Sequence, residues 1–374
     1  MRNSMSKDFI FTIIVIFILN GVCLLYFFQI NKIPEIEEAV IPHEELIALM
    51  KEEKEIIEEQ IVVEIASEPR LVDNPIDYLP EGKNYARVIG SPPIYSSPEA
   101  RSNFRMQDSD IAWVNVNEST VIDGQRFYNV NWGWGASGWI LEQFLDFSPI
   151  LSRLKGVEIE DRMDEHLAIV YIGSLNVRSF PGDMREEALV GRIKRYDLVS
   201  VQEKERVGGD VWYKIDESQW IHGGYVRNLI PGKRPAGVGK DDKWIEINLS
   251  EQTIFAHEGD TTIYATLTST GRYGRETITG LFWSRVKTRF APMQGTEYSY
   301  DFADIPWIYY FSGDYAWHGV YWHDNFGTVQ SSGCVNLSPH DAHWFFHWSD
   351  PELLPGQREV SPFAGKGTWV YVHY

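Results

Sequence analysis

Residues Phe9 to Phe28 form an apolar run broken only by Thr12, Asn20 and Gly21, close to the length of about 20 residues that a helix needs to cross a bilayer. Arg2 and Lys7 precede it, a bias that favours a cytoplasmic N-terminus. The run is long for the apolar part of a signal peptide, and no small-x-small cleavage site follows it. The pattern predicts a cytoplasmic tail over 1–8, an uncleaved transmembrane signal anchor over 9–28, and the remainder outside the cytoplasm, in the periplasm or cell-wall space. Next, Leu46, Leu49, Met50, Ile56, Ile57 and Ile61 recur near helical spacing. Residues 34–68 hold twelve acidic residues against two lysines. The expectation is an acidic helical stalk over 29–80, solvated on most faces. A dimer through it is an option, although the heptads are too few to specify a coiled coil.

From residue 81 the period shortens to two. "GQRFYNVNWGWGASGWILEQFL" (124–145) and "GDVWYKIDESQWIHGGYVRNLI" (209–230) share a glycine, an aromatic pair, a short alternating strand, a polar turn and a closing hydrophobic strand. Their beginnings match too, "ARVIGSPPIYSSP" (86–98) with "AIVYIGSLNVRSFP" (168–181). Short alternating strands with frequent turns indicate small barrels. Both segments resemble bacterial SH3-like domains and are placed at 81–150 and 166–232. The resemblance implies wall binding; the plainer account is a rigid spacer. "PGKRPAGVGKDDK" reads as a linker, assigned to 233–242. Alternation resumes at 243 and runs through a domain at 243–374 with one clear helix near 339–348. Ser338 is its N-cap, Pro339 opens it, Asp341 lies in the first turn, and Trp344, Phe345 and Trp348 are the expected core face. The fold class expected is mainly β, with two small SH3-like barrels and a β-rich C-terminal domain behind an N-terminal transmembrane helix.

Charge and cysteine usage narrow the function. A formal charge of −19 argues against a nucleic-acid partner, which needs a basic surface. Of the two cysteines, Cys23 lies in the apolar run, so the exported part has a single thiol, Cys334, with no internal partner. Cys334 follows Gly333 in "WHGVYWHDNFGTVQSSGCVNLSP" (317–339). An imidazole can take a thiol's proton, and a Gly-Cys turn offers two backbone N–H groups to a developing oxyanion. His318 is the candidate base. From these residues alone the pairing is weak evidence.

The same stretch resembles the signature of the L,D-transpeptidase (YkuD-like) family, which runs His-Gly, about twelve residues, then Ser/Thr-His-Gly-Cys, a hydrophobic residue, and Asn or Arg. Here twelve residues, Gly319 to Gln330, separate His318 from Ser331-Ser332-Gly333-Cys334-Val335-Asn336. Upstream, "TSTGRYGRETITGLF" (268–282) resembles a second family segment, with Ile278 in place of the usual proline. The resemblance implies a cysteine acyltransferase acting on peptidoglycan stem tetrapeptides. A Cys334 thioester would form with loss of D-Ala, and an amine would resolve it to a 3→3 cross-link. His318 would be the base, the Gly319 carbonyl would orient it, and the Gly333 and Cys334 N–H groups would hold the oxyanion. No metal and no organic cofactor is implied.

Ser332 is the departure, because the family has a second histidine there. It motivates the alternative of a catalytically impaired relative that binds cell wall. Ser332, Asn336, Tyr310 and His323 are candidate substrate-binding or supporting residues. The plainer account makes His323 a loop residue bonded to backbone, and Tyr309 and Tyr310 packing residues of a sheet. His340, His343 and His347 share a helix face and could in principle hold zinc; solvent exposure of that face is the simpler expectation. Arg272, Arg275, Lys287 and Arg289 are cations that could meet stem carboxylates.

Overall fold

The computed structural model describes residues 63–64, 71–99, 103–105, 111–132, 136–159, 162, 164–295, 300–361 and 367–374. The anchor expected at 9–28 and most of the stalk, with any dimer through it, lie outside them. Among the described residues no helix is long and apolar enough to cross a membrane.

The internal repeat is a repeat of strands. In the first copy Tyr85–Val88 pairs with Ile111–Ile122 and Leu145–Asp146, and Pro93–Tyr95 pairs with Asn103–Arg105 and Ala136–Leu141. Ile111–Ile122, Gln125–Trp132 and Ala136–Leu141 form a meander. In the second copy Leu167–Val170 pairs with Leu198–Ser200 and Val226–Leu229, and Ser174–Arg178 pairs with Leu189–Lys194 and Gln219–His222. Its meander is Glu203–Val207, Asp210–Asp216 and Gln219–His222. The two meanders turn through Asp123-Gly124 and Gly208-Gly209, all four residues at positive φ, the backbone that a two-residue hairpin needs to match strand twist. Each copy buries its own small core, Ile94, Val130 and Ile140 in one and Val177, Ile193 and Ile221 in the other.

The C-terminal part is a sandwich of two sheets. One runs in the order β5 (Gly280–Trp283), β10 (Trp369–His373), β2 (Lys243–Asn248), β3 (Thr253–Glu258), β4 (Thr261–Leu267) and β1 (Val157–Glu158). The other holds β6 (Val286–Gly295), β7 (Tyr300–Ser312), β8 (Tyr315–Gly319) and β9 (Val335–Leu337). Through Asp301 beside Ile111 and Phe302 beside Trp113 this second sheet continues into the first repeat. Ile245, Ile247 and Ile254 meet Tyr309, Trp317, Val335 and Leu337 across the interior, and each large side chain buried there contributes about 1.5–3 kcal/mol.

Helix α1 (Pro339–Trp348) closes the sandwich and has the predicted bounds, with Ser338 accepting from the Asp341 N–H. Its core face is corrected. Ala342, Phe345 and Phe346 are buried, whereas Trp344 and Trp348 are half-buried and stack with each other. Asp341 does more than face the helix dipole. It is fully buried and accepts from Gly156 N–H at 2.9 Å, Tyr264 Oη at 2.8 Å and Thr266 Oγ1 at 2.6 Å.

The segments between the predicted domains pack against the sandwich. Between the repeats, β1 adds to the edge of β4, and the Leu154 carbonyl accepts from Ser338 Oγ. A Cβ on Gly156 would lie 2.6 Å from the Ala265 carbonyl, so only glycine fits there. Gly232 donates to Glu246 and Arg234 pairs with Asp260 at the start of 233–242. At the end of the span assigned to the stalk, the Tyr78 carbonyl accepts from Trp307 and its ring meets His340 and His343. On the histidine face of α1, His340 is buried and His343 half-buried beneath Tyr78 and Trp307, whereas His347 is exposed to solvent as expected. Among the described residues no set of three or more His, Cys, Asp or Glu is arranged to hold a metal ion.

Candidate active site

Parallel pairing of β8 with β9 sets Trp317 beside Val335, His318 beside Asn336 and Gly319 beside Leu337. Side chains alternate across a strand. Trp317, Val335 and Leu337 therefore enter the sandwich core, and Ala316, His318, Cys334 and Asn336 share the opposite face. The packing agrees: Cys334 lies against a cluster that holds Ala316, Ile308 and Tyr310. Cys334 and His318 are diagonal neighbours across the β8–β9 pairing. Tyr310 of β7 aligns with Ala316 and so joins the same face. Tyr309 points the other way into the core, its hydroxyl bonded to the Asp350 carbonyl.

His318 is buried, and its Nδ1 donates to the Gly319 carbonyl at 3.0 Å, leaving Nε2 as the basic nitrogen. Burial pushes its pKa down to about 4, against the Gly319 bond. Cys334 is half-buried and its thiol points to the Asp314 carbonyl at 3.7 Å. Burial pushes the thiol up to about 11, eased by the Ala316 backbone and reinforced by Asp314. Burial also raises Tyr310 to about 12, with Cys334 and Asp314 adding to it. Burial thus favours the neutral form of both the Cys334 thiol and the His318 imidazole.

His323 is brought in from the β8–β9 loop. Its Nδ1 accepts from the Asn325 N–H at 3.3 Å, and its Nε2 lies 2.9 Å from the Asn336 side-chain amide. The Asn336 atom that faces Nε2 is the side-chain amide nitrogen. Burial holds His323 at about 4, and His318 lowers it further. His323 is therefore bonded to backbone, as its loop position suggested, and also tied to the site through Asn336.

The Gly333-Cys334 turn is fixed from both sides. Gly333 has φ of +124°, and a Cβ there would sit 2.9 Å from the Tyr315 ring. Its carbonyl accepts from Thr277 Oγ1 at 2.8 Å and its N–H donates to Ser331 Oγ at 3.0 Å. Ser331 Oγ in turn donates to the Cys334 carbonyl. The segment beginning "TSTG" straps this loop through bridges between Ser269 and Asn336 and between Gly271 and Ser331. The two expected oxyanion donors thus differ, because the Gly333 N–H is already engaged. Ser332 is exposed, and Arg275 Nη1 donates to its hydroxyl at 3.0 Å.

Both repeats grip the loop that follows His318. From the first, Tyr85 stacks on Tyr321 with centroids 3.9 Å apart. From the second, Tyr196 donates to Asp324 and Arg227 donates to the Gly327 carbonyl. Of the other cations, Lys287 is not available to a substrate. It is buried under the end of α1, bonds the Ser349 and Pro351 carbonyls at 2.7 and 3.0 Å, and is lowered to about 7 by burial. Arg289 bonds the Gln357 carbonyl. Sequence reasoning assigned nothing to Ser331, Thr277 or Trp322, whose ring lies 6.0 Å from His318. Ser331 and Thr277 lay inside the quoted motifs, and Trp322 next to His323, so their positions carried a signal even though no role was read.

Residues 242–372 match the YkuD family, the L,D-transpeptidase catalytic domain. Comparison with curated protein sequences gives no match. Among solved structures, this chain is similar to an L,D-transpeptidase from Stackebrandtia nassauensis, at 23% identity over 37% of this chain and 58% of that one, with a TM-score of 0.28. It is similar to an L,D-transpeptidase from Xylanimonas cellulosilytica, at 23% identity over 37% and 64%, with a TM-score of 0.27. It is also similar to the catalytic domain of an E. faecium L,D-transpeptidase, at 22% identity over 36% and 98%, with a TM-score of 0.27. The chain thus spans less than two thirds of the length of the first two.

Proposed function

We propose that this chain is a peptidoglycan L,D-transpeptidase, anchored by residues 9–28 with its catalytic part outside the cytoplasm. Its SH3-like repeats brace the active-site loop. The observation that carries the reading is the β8–β9 register, which sets Cys334 diagonal to His318 within a segment matched by an L,D-transpeptidase family model.

His318 Nε2 takes the thiol proton as the sulfur attacks the carbonyl between the third and fourth residues of a stem tetrapeptide. The carbonyl π electrons pass to its oxygen, which accepts from the Cys334 N–H; the Gly333 N–H joins only when its bond to Ser331 opens. Collapse breaks the C–N bond, the imidazolium gives its proton to the departing D-Ala amine, and a thioester remains. An acceptor amine then attacks the thioester while His318 removes its proton. The thiolate leaves and recovers that proton. Because the resting thiol is raised and the imidazole lowered, proton transfer belongs to the attack itself and not to a preformed ion pair.

Ser332 and the raised thiol favour a second reading, that of an impaired relative which binds wall. Mass spectrometry on the full chain incubated with a disaccharide-tetrapeptide separates the two. Released D-Ala with a Cys334 thioester or a 3→3 dimer, both absent in Cys334→Ala, supports the enzyme. Intact tetrapeptide with folded, unmodified protein that still pellets with sacculi supports the binder.

A further inference from the structure

We propose that Tyr196, in the second repeat, is a positioning residue of the active site. Through Asp324 it sets His323, and through His323 and Asn336 it sets the strand pairing that holds His318 and Cys334 on one face. The inference rests on the transpeptidase reading of that face. Its starting point is a strained residue. Tyr196 has φ of +70°, a left-handed backbone that glycine or asparagine takes readily and a bulky side chain adopts only at a cost. It stands in the turn between Leu189–Lys194 and Leu198–Ser200. Such strain persists where the surroundings hold it, and it gathers at functional sites. The buried ring belongs not to the repeat's own core but to the interior shared with Phe255, Val320 and Phe326.

The hydroxyl is what reaches toward the site. It donates to Asp324 Oδ1 at 2.8 Å, with the Asp324 carbonyl 3.1 Å away, and accepts from the Phe326 N–H at 3.4 Å. Arg195 lies over the Tyr196 ring at 4.8 Å and donates to Asn325 Oδ1 at 3.3 Å. Two consecutive residues of the turn thus hold residues 324, 325 and 326 of the loop. His323 comes immediately before them, and its Nδ1 accepts from the Asn325 N–H at 3.3 Å. Its Nε2 lies 2.9 Å from the Asn336 side chain, and Asn336 pairs with His318 across β8 and β9. Ser269 ties the two ends together. Its hydroxyl donates to the Asn325 carbonyl at 2.8 Å, and its backbone exchanges bonds with Asn336 at 3.1 and 2.8 Å. A phenylalanine ring would fill the shared interior as well. The hydroxyl's partners are all in the loop, and the loop carries His323.

The test compares the full chain with Tyr196→Phe, which removes the hydroxyl and keeps the ring. Three quantities are read. They are the His323 ring signal in NMR of protein with isotope-labelled histidine, the rate of Cys334 alkylation by iodoacetamide, and single-turnover thioester formation over a range of disaccharide-tetrapeptide concentrations. The His323 signal should shift and the alkylation rate should change. The maximal acylation rate should fall about tenfold while the half-saturating concentration stays within about twofold, as expected when geometry and not binding is lost. Ile221→Val, confined to the second repeat's own core, should lower the thermal midpoint and leave all three readings alone, which separates positioning from stability. In an Asp324→Ala background Tyr196→Phe should do nothing further, because contacts in one chain do not add. Asp324→Ala also stands in if Tyr196→Phe does not fold. An unshifted His323 signal, or losses that add across the pair, overturns the proposal. The chemistry reports separately. An unmutated chain that forms no thioester, while Tyr196→Phe still shifts His323 and alkylation, defeats the transpeptidase reading alone. Thioester formation that Tyr196→Phe leaves untouched defeats this one alone.

Discussion

Two buried clusters in the C-terminal domain hold imidazoles, and they are settled in opposite ways. Around Glu246, His257 and His373 approach the carboxylate at 3.1 and 2.8 Å, and the Gly232 N–H contacts both of its oxygens. Burial pushes Glu246 up, but those hydrogen bonds outweigh it and leave the carboxyl below its ordinary value. His257 is lowered chiefly by burial and stacks on Trp244 at 3.7 Å. Around Cys334, His318 and His323 are buried without such compensation, bonded to a carbonyl and an amide. The Glu246 cluster satisfies its polar groups with one another, whereas at the Cys334 face His318 Nδ1 is held by the Gly319 carbonyl and the thiol points to the Asp314 carbonyl.

Breaking each cluster should therefore cost different things. Cys334→Ala should remove D-Ala release completely while the thermal midpoint stays within a few degrees; retained release would end the assignment of the nucleophile. His318→Ala should slow acylation about 10²- to 10⁴-fold, read as the single-turnover rate of thioester formation. Glu246→Ala should leave buried donors unpaired and lower stability by about 3–5 kcal/mol in urea denaturation, while the folded fraction keeps its Cys334 alkylation rate. The remaining effect is on pH dependence. His318 and His323 lie at about 4 in the fold against an ordinary 6.5, so the unfolded chain binds their protons first as pH falls. Their contribution to stability is complete above 6.5 and is lost between 6.5 and about 4. Urea midpoints should fall with pH across that window, and His318→Gln should remove about one proton from the slope.

What the sequence revealed was what is local. The start of α1 was legible because Ser338, Pro339 and Asp341 act within one turn; the hairpins at Asp123-Gly124 and Gly208-Gly209 carried a two-residue signal that was not read. The Cys334 face was legible because its members fall within one motif and strand alternation sorts them. Long-range partners were hidden. Arg275 and Ser332 are 57 residues apart, and four cations looked alike until Lys287 proved to be tied beneath α1. The two-residue strand β1 is too short to show a period. The core face of α1 was misjudged because Trp344 and Trp348 are as apolar in sequence as Phe346, and only tertiary packing decides which turns inward.

The second repeat and the C-terminal sandwich share one interior. Leu154, Val157, Leu167, Ile169, Leu198 and Leu229 pack with Phe255, Ala265, Leu267, Val320 and Phe326. Severing the chain near residue 242 would put that surface in water, at about 25 cal/mol for each Å² of apolar area. The segment that sequence families recognise is therefore not a cassette. Recombination could not trade these repeats for other modules at the Gly- and Pro-rich linker, because the C-terminal half would arrive with its own oil exposed. Descent should instead keep the pieces together, so that substitutions at Val320 and Phe326 track those at Leu198 and Leu229 more closely than they track the thiol.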